Sequence, residues 1–326
     1  VARGHRVASV GIAPPSPVTA PTASRSAAAP PRPRITHGER VVDPHSGLTK
    51  LDLVGFYEAV AGWMLPHLRE RPVSLVRAPQ GIGHALFFQK HPESATPGLT
   101  ELDARLWPGH SPLLAIDSGD ALVAAAQLNA IELHTWNATV PHIDTPDRVV
   151  FDLDPGERVA WAQVREAALL VRTLLDELGL ACWLKTSGGK GLHVVVPIVP
   201  EAGHATVEAF ARAFAAHLAR VVPERIVARA GAAKRIGKIF VDYLRNGHGA
   251  TTVAAYSARA RPGLGVSMPV DWDELGEIDS ADHWRVANAP AHLARRSDDP
   301  WAGYAACRQS LAPAAARLGA PSPRTA

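Results

Sequence analysis

Two aspartates at the end of an apolar run have the type and spacing to do chemistry. The run from Val149 to Pro155 reads Val-Val-Phe-Asp-Leu-Asp-Pro. Alternate side chains of a β-strand share a face, so Asp152 and Asp154 point the same way and their carboxylates repel each other. A divalent cation relieves that repulsion, and carboxylate oxygens suit Mg²⁺ or Mn²⁺. A lone Asp-x-Asp is more often a solvated strand end, and sugar-nucleotide transferases also use this triplet on a diphosphate.

A third aspartate lies on another apolar run, from Lys238 to Leu244. Asp242 alternates with Phe240 and Leu244, which predicts a carboxylate on an otherwise apolar face. Burying a carboxylate without a partner is costly, so we expect Arg245, Lys238 or a metal beside it. Three acids on two strands could hold two cations about 3.5–4 Å apart, as two-metal phosphoryl transfer requires.

A glycine-rich turn between two predicted strands has the composition of a phosphate cradle. It reads Lys-Thr-Ser-Gly-Gly-Lys-Gly-Leu-His-Val from Lys185 to Val194. Glycines let the backbone approach a ligand, and successive N–H groups bind phosphate oxygens. The P-loop pattern is absent, and a plain hairpin turn with an exposed lysine and a core histidine is the alternative. The residues that we assign to triphosphate binding are Ser187, Gly188, Lys190 and His193.

The elements that must position these residues form an α+β pattern. Hydrophobic periodicity and capping signals predict helices over 49–65, 121–128, 159–178 and 205–221. Strands are predicted over 73–77, 85–89, 113–116, 131–136, 148–153, 181–185, 192–197, 238–244 and 251–256. The last two strands flank Asn246-Gly247, which is a turn signal.

The composition is that of one globular domain between two tails. Residues 1–33 and 312–326 are rich in Ala, Pro and Ser, so we expect a disordered tail, a domain over 34–311 and a flexible C-terminal tail. The first tail lacks the apolar region of a secretory signal. No apolar run reaches the roughly 20 residues of a membrane helix. We therefore expect no membrane partner and a location in the cytoplasm, at the bacterial nucleoid.

The net charge and the cysteine content exclude few classes of function. The formal net charge of +3 neither requires nor excludes nucleic acid. Cys182 and Cys307 lack the spacing of a zinc site, which indicates two reduced thiols.

Three motifs, in this order, resemble those of the archaeo-eukaryotic primase superfamily: 151–155, 187–193 and 240–243. The residues of these motifs most resemble those of the polymerase domain of bacterial ligase D, an enzyme of non-homologous end joining. The stretches 72–77, 87–91, 132–136 and 256–262 extend the likeness, which covers about 35–293. The resemblance implies a primase-polymerase catalytic fold, with mixed or antiparallel sheets flanked by helices around a central cleft.

The resemblance also implies roles for individual residues at the nucleotide. Asp152, Asp154 and Asp242 would bind Mn²⁺ or Mg²⁺ in a two-metal site. Arg259 would join the triphosphate-binding residues, with nucleoside triphosphates as substrates. His134 would meet the ribose and its 2′-hydroxyl, consistent with a preference for ribonucleotides, unless it is simply a buried strand histidine.

Further roles implied by the resemblance concern DNA. Phe87 and Phe88 would stack on bases, and on a strand only one of them can face the core. Arg40 and Lys50 would recognise a 5′-phosphate, although the family often has lysine where Arg40 stands, and surface charge is the alternative. A mobile basic loop would contribute the remaining two residues, Lys234 and Arg235.

The implied function is a template-dependent DNA/RNA polymerase that fills gaps and extends 3′ ends in bacterial end joining. A primase that starts chains without a primer, a glycosyltransferase and a non-catalytic end-bridging module are the alternatives. The partners would be DNA with gaps or 3′ overhangs and a 5′-phosphate. Because the sequence has no Lys-x-Asp-Gly ligase motif, we expect Ku and an ATP-dependent ligase to be separate chains.

Overall fold

A computed structural model describes residues 33–92, 97–229, 231 and 235–321. Six strands form a first sheet, and every pairing in it is antiparallel. The strands are β1 (Val73–Arg77), β2 (Phe87–Gln89), β3 (Thr100–Glu101), β4 (Leu114–Ala115), β5 (Ala130–Thr135) and β11 (Thr252–Val253). Their order is β11-β5-β1-β4-β3, and β2 pairs with β1.

A second six-stranded sheet has the order β12-β7-β8-β6-β10-β9. Only its β9–β10 pair is parallel among the described strands. The strands are β6 (Arg148–Pro155), β7 (Trp183–Thr186), β8 (Leu192–Pro197), β9 (Ile226–Val227), β10 (Ile239–Asp242) and β12 (Pro269–Val270). The predicted α+β class is confirmed.

Helices cover one face of each sheet and so decide which face is free for chemistry. The helices are α1 (Lys50–Leu68), α2 (Gly119–Gln127), α3 (Trp161–Glu177), α4 (His204–Val221), α5 (Ala289–Leu293) and α6 (Ala312–Arg317). Helices α3 and α4 pack on the second sheet, where the rings of Phe151 and Phe214 lie 4.4 Å apart. Since Phe151 and Leu153 face these helices, Asp152 and Asp154 point away from them.

Helix α1 begins where the sequence predicts. The Thr49 hydroxyl accepts a hydrogen bond from the Asp52 backbone N–H, and the Asp52 carboxylate accepts one from the Thr49 N–H. This capping box satisfies two backbone donors that the first helical turn leaves free.

The turn signal Asn246-Gly247 does not close a hairpin, because β10 belongs to the second sheet and β11 to the first. The buried Asn246 side chain accepts a hydrogen bond from the Val150 N–H at 2.8 Å and donates one to the Val150 carbonyl at 2.8 Å. It therefore binds the segment to β6. The chain then crosses from one sheet to the other.

The structure describes part of the predicted C-terminal tail but none of the predicted N-terminal tail before residue 33. The expectation of a flexible segment from residue 312 is wrong over 312–317, because α6 forms there with Ala314 and Ala315 buried. Small alanines let this helix pack closely although they carry little hydrophobic signal. Residues 1–32 and 322–326 lie outside the described part of the chain. No helix among the described residues is both long and apolar enough to cross a bilayer.

The ring of His67 packs among aromatic side chains, which gives the fold a pH dependence. It lies 5.8 Å from the Tyr256 ring and 5.2 Å from the Trp301 ring. Burial, with the nearby positive charge of Arg148, lowers the pKa of His67 to about 3. The unfolded chain binds this proton at its ordinary pKa of about 6.5, so stability is present above that pH and is lost as the pH falls towards 3.

We therefore expect His67→Gln to flatten the pH dependence of folding. The loss of unfolding free energy between pH 7 and pH 5 should be about 2 kcal/mol smaller than in the wild type. Denaturant titrations at the two pH values measure it. The exposed His45→Gln should keep the wild-type difference, whereas an equal loss in His67→Gln and the wild type would contradict the prediction.

Candidate active site

Strand register places one polar row across the second sheet. Lys185 on β7 is opposite His193 on β8, His193 is opposite Asp152 on β6, and Asp152 is opposite Asp242 on β10. Directly opposed residues lie side by side on one face of a sheet. Four neighbouring strands thus bring two carboxylates, an imidazole and an ammonium together on the face that the helices leave free.

Asp152 is the centre of this row. Its Oδ1 lies 3.4 Å from His193 Nε2, and its Oδ2 lies 3.7 Å from Arg245 Nε. Burial raises the pKa of Asp152, but its contacts with His193 and Arg245 outweigh burial and lower that pKa to about 2. The carboxylate is therefore ionised at neutral pH.

Asp242 has the charged neighbour that its buried position predicts. Arg245 Nε lies 3.3 Å from Asp242 Oδ2, and the Leu244 N–H donates to Asp242 Oδ1 at 2.8 Å. Burial nevertheless raises the pKa of Asp242 above its ordinary value. Lys238, the other residue considered as a partner, instead donates to the Pro223 carbonyl at 2.7 Å.

Asp154 lies one pleat along β6 and is paired with Arg235, whose Nη1 donates to Asp154 Oδ2. The Arg235 guanidinium also lies 4.4 Å from the centre of the Phe240 ring. The structure therefore places Arg235 at the carboxylates, and its role towards DNA stays a prediction. Lys234, predicted for the same loop, lies outside the described residues.

The carboxylates have the donor chemistry of a Mg²⁺ or Mn²⁺ site. All three offer hard oxygen ligands, and Asp152 and Asp242 are directly opposed across the sheet. Within the described part of the chain, no three His, Cys, Asp or Glu side chains converge as a ready-made metal site. Arg245 and Arg235 instead neutralise the acids. The residues fit a divalent cation by donor type and register.

The glycine-rich turn is organised by its own serine. Ser187 Oγ accepts hydrogen bonds from the backbone N–H groups of Gly189 at 3.2 Å and Gly191 at 3.0 Å. Gly188 has φ +65°, and a Cβ there would lie 2.8 Å from Arg259 Cγ. Only glycine therefore lets Arg259 lie across the turn. Lys190 is exposed at the tip, where it lines a 300 Å³ cavity with Gly189.

Arg259 joins the turn to the first sheet. Its Nη1 donates to the Ser187 carbonyl at 2.8 Å, and its Nε lies 3.0 Å from Glu132 Oε2. Glu132 also contacts His134 Nε2 at 2.7 Å, and burial lowers the pKa of His134. Burial would raise the pKa of Glu132, but these partners lower it to about 2. One ionised glutamate thus holds His134 and Arg259, both predicted site residues, in fixed positions.

His193 and Lys185 complete the row, and both have a lowered pKa. Burial and the nearby charge of Lys185 lower the pKa of His193 to about 4, so its ring is neutral at neutral pH. Its Nδ1 is buried and has no hydrogen-bond partner among the described residues. Lys185 Nζ donates to Ser267 Oγ at 2.6 Å, and burial lowers the pKa of Lys185 well below its ordinary value.

The two phenylalanines do not divide between core and solvent as expected. Phe87 is 39% exposed and Phe88 is 46% exposed. Strand β2 has only three residues, and among the described strands it pairs with β1 alone, so the burial begins at its third residue, Gln89, and both phenylalanines stay exposed. Lys90 Nζ lies 5.9 Å from the Phe88 ring, and His134 lies 6.0 Å from it. The phenylalanines thus form an exposed aromatic platform next to the candidate nucleotide site.

Arg40 and Lys50 meet at the start of α1. The Lys50 N–H donates to the Arg40 carbonyl at 2.9 Å, and Lys50 Nζ donates to the carbonyls of Thr36 and Gln127. Burial, together with repulsion from Arg40, lowers the pKa of Lys50. Arg40 is exposed and Lys50 is almost fully buried. The Arg40 guanidinium donates to the Pro79 carbonyl at 2.8 Å, and the role of both residues at a 5′-phosphate stays a prediction.

Sequence reasoning missed three residues of the site. The sequence motifs contain Glu132 only as part of the stretch 132–136 and Lys185 only as the start of the turn, and they offer Arg245 only as a possible partner of Asp242. A signal existed for both residues: Glu132 lies between Ile131 and Leu133 of a predicted strand, and Lys185 ends an apolar predicted strand, and a charged residue at such a position needs a partner once it is buried. The partner itself depends on strand pairing, which the sequence does not reveal.

The chain is similar to known proteins over most of its length. The family model described as the LigD primase-polymerase domain matches residues 49–301. The multifunctional non-homologous end joining protein LigD of Pseudomonas aeruginosa is 50% identical over 317 residues, covering 97% of this chain and 36% of that protein. The multifunctional non-homologous end joining protein LigD of Mycolicibacterium smegmatis is 34% identical over 249 residues, covering 76% of this chain and 33% of that protein.

A solved structure extends the likeness to the fold. It is the polymerase domain of Mycobacterium tuberculosis ligase D in complex with DNA, with a TM-score of 0.74 and 33% identity. The match covers 82% of this chain and 96% of that one. The chain thus spans about a third of the length of the curated relatives but nearly all of this solved domain.

Proposed function

The chain belongs to the LigD primase-polymerase domain family, and from this premise we propose that it is a nucleotidyltransferase that adds templated nucleotides to 3′ ends and gaps during bacterial end joining. The observation that supports this proposal best is the polar row at the centre of the second sheet. Its register sets Asp152 between Asp242 and His193, and the glycine-rich turn connects the strands of Lys185 and His193, with Arg259 bound to the Ser187 carbonyl of that turn. Acids for cations and donors for phosphate therefore share one face.

The proposed chemistry is transfer of a nucleotidyl group to a primer 3′-hydroxyl. Asp152 and Asp154 would hold two cations between them, and Asp242 would complete one site. Bound Mn²⁺ or Mg²⁺ supplies charge neutralisation on the phosphates and a lower pKa for the primer hydroxyl. Asp152 is already ionised at neutral pH, so it can act as a ligand without first losing a proton.

The remaining residues bind and orient the triphosphate. The Gly188 and Gly189 backbone approaches Arg259, which keeps its guanidinium at the turn. Arg245 contributes a further positive charge beside Asp242. Preorganised donors of this kind stabilise the charge that develops on transferring phosphates, because they need no reorganisation during the reaction.

Preference for ribonucleotides is proposed to depend on His134. The Glu132 carboxylate fixes its ring, and the ring edge lies next to Phe88. We expect His134→Ala to lower the ratio of kcat/KM for ribonucleotides over deoxyribonucleotides by about tenfold, because a lost hydrogen bond to a substrate hydroxyl costs roughly 1–3 kcal/mol. Single-nucleotide incorporation measures the ratio. A ratio unchanged from that of the surface variant His217→Ala would contradict the role.

DNA binding is proposed to use the aromatic platform of Phe87 and Phe88. We expect Phe88→Ala to raise the Kd for gapped DNA by about 5- to 100-fold, since stacking contributes roughly 1–3 kcal/mol per base. The slope of binding against salt should not change, because no phosphate contact is removed. Leu169→Ala is the matched control, as Leu169 is 45% exposed on α3. Equal effects of the two substitutions in fluorescence anisotropy would exclude a stacking role.

The proposed substrate is DNA with a gap or 3′ overhang and a 5′-phosphate, with Ku and an ATP-dependent ligase as partners in the pathway. Arg40 and Lys50 support the 5′-phosphate, because the charge of Arg40 repels that of Lys50 and an anion would relieve this repulsion. A primase that starts chains is the second candidate. Synthesis on a single-stranded template without a primer distinguishes them, and efficient unprimed synthesis that ignores a 5′-phosphate would favour the primase.

A further inference from the structure

A second cavity, of about 490 Å³, lies at the far end of the sheet face that carries the polar row. Its walls come from the end of α1, the start of β6, the end of β8 and residues 299–308. Arg148 in this cavity and Asp152 in the row lie four residues apart on the same face of β6, about 13 Å at the rise of a strand. Val150, Val195 and Trp301 form an apolar cluster between them.

The cavity floor holds two buried guanidinium groups and one carboxylate. Arg71 makes a two-pronged ion pair with Asp147, at 2.7 Å and 2.5 Å. Arg148 donates instead to three neutral oxygens, those of the Asn137 side chain at 3.0 Å, the Thr135 side chain at 2.6 Å and the Trp136 carbonyl at 3.0 Å. Among the described residues, no carboxylate lies within ion-pair distance of Arg148. One buried positive charge is therefore left without its own counter-ion, which is costly unless an anion reaches it.

The rim and wall add charge and aromatic surface. Exposed Arg69 and Arg308 line the opening, together with Glu70 and Asp299. The cavity as a whole then has four arginines against three carboxylates. On one wall the rings of Trp301 and Tyr304 lie 4.7 Å apart, and the His67 ring lies edge-on to Trp301.

We propose that this cavity is a binding site for a small organic phosphate, a phosphomonoester of mononucleotide size. Guanidinium groups bind phosphate through charge-assisted, often two-pronged hydrogen bonds. A bound phosphate would therefore neutralise the charge of Arg148. The aromatic wall suits the ring of such a ligand. The volume is in the range of small-molecule sites, about 300–1,000 Å³. The apolar cluster separates this site from the proposed triphosphate site.

A cysteine in the cavity wall can report whether a ligand is bound in the cavity. Cys307 lines the cavity and is partly exposed, whereas Cys182 does not line it. The full chain would be treated with N-ethylmaleimide, and the rate of modification of each cysteine followed by mass spectrometry. We expect AMP at ten times its half-protecting concentration to slow modification of Cys307 about tenfold and to leave Cys182 unchanged. Adenosine, which lacks the phosphate, should give no protection.

Two substitutions test whether the arginines are responsible for the protection of Cys307 by AMP. Arg148→Gln should abolish it, and the exposed Arg69→Gln should raise the half-protecting AMP concentration several-fold without touching the core. Arg317→Gln, a surface change on α6, is the control and should behave as the wild type. Protection by adenosine equal to that by AMP, the absence of protection, or full protection in Arg148→Gln and Arg69→Gln alike would each overturn the proposal.

Discussion

Replacing Asp152 by Asn is expected to reduce primer extension by at least about a thousandfold while leaving the fold intact. Asp152 is the ionised centre of the polar row, opposed to Asp242 on one side and His193 on the other. Asparagine keeps its shape but loses the charge that would hold a cation. Arg245, which is about half exposed, keeps its closer partner Asp242, so the change does not leave this arginine unpaired. Extension rates on a primed template, with circular dichroism of both proteins, measure the two effects.

The matched control for Asp152→Asn is Asp273→Asn, which removes a carboxylate from an exposed position. It should extend primers at the wild-type rate. A near wild-type rate for Asp152→Asn would remove Asp152 from the catalytic site. A loss of rate together with a loss of fold would show that the carboxylate has a structural role instead.

Replacing Gly191 by Ala is expected to destabilise the protein by at least about 3 kcal/mol, and so to reduce the yield of folded chain. A Cβ on Gly191 would lie 1.8 Å from the Leu153 carbonyl oxygen on the neighbouring strand. The Leu153 carbonyl belongs to β6, and Gly191 directly precedes β8, so the pairing of these two strands keeps either backbone from moving cheaply. Denaturant titration measures the change.

A second glycine of the same turn provides the comparison. A Cβ on Gly189 would meet only side-chain atoms, the nearest being Arg261 Nε at 3.4 Å, and its φ is not in the left-handed region. Gly189→Ala should therefore change the free energy of unfolding by no more than about 0.5 kcal/mol. Equal stabilities of the two alanine variants would show that β6 and β8 do not approach each other as described.

Local pattern was enough to predict the face that Asp152 and Asp154 share, because a strand alternates its side chains every residue. It could not show that Asp242 and His193 lie beside Asp152, since the order and register of strands depend on contacts distant in sequence. The three family motifs supplied that link. The match to the LigD primase-polymerase family and the confirmed α+β fold show that the motifs identified the architecture correctly.

Other features of the site could not be predicted from local sequence patterns, because they depend on contacts between residues distant in sequence. The Asn246-Gly247 signal was correct for a turn, but buried hydrogen bonds from Asn246 to β6 send the chain to another sheet. Phe87 and Phe88 are both exposed because β2 is only three residues long and is buried only at Gln89, which the alternation of a strand does not reveal. Glu132 becomes important only because the fold brings Arg259, distant in sequence, next to it.

The most direct measurement is nucleotide addition by the purified chain on a gapped duplex with a 5′-phosphate. Reactions would contain Mn²⁺ and ribonucleotides, with matched reactions that contain EDTA or a 5′-hydroxyl gap. We expect templated addition that stops in EDTA and falls severalfold without the 5′-phosphate. No addition with either Mn²⁺ or Mg²⁺, from a protein that still binds the gapped DNA tightly, would contradict a polymerase function and favour an end-bridging module.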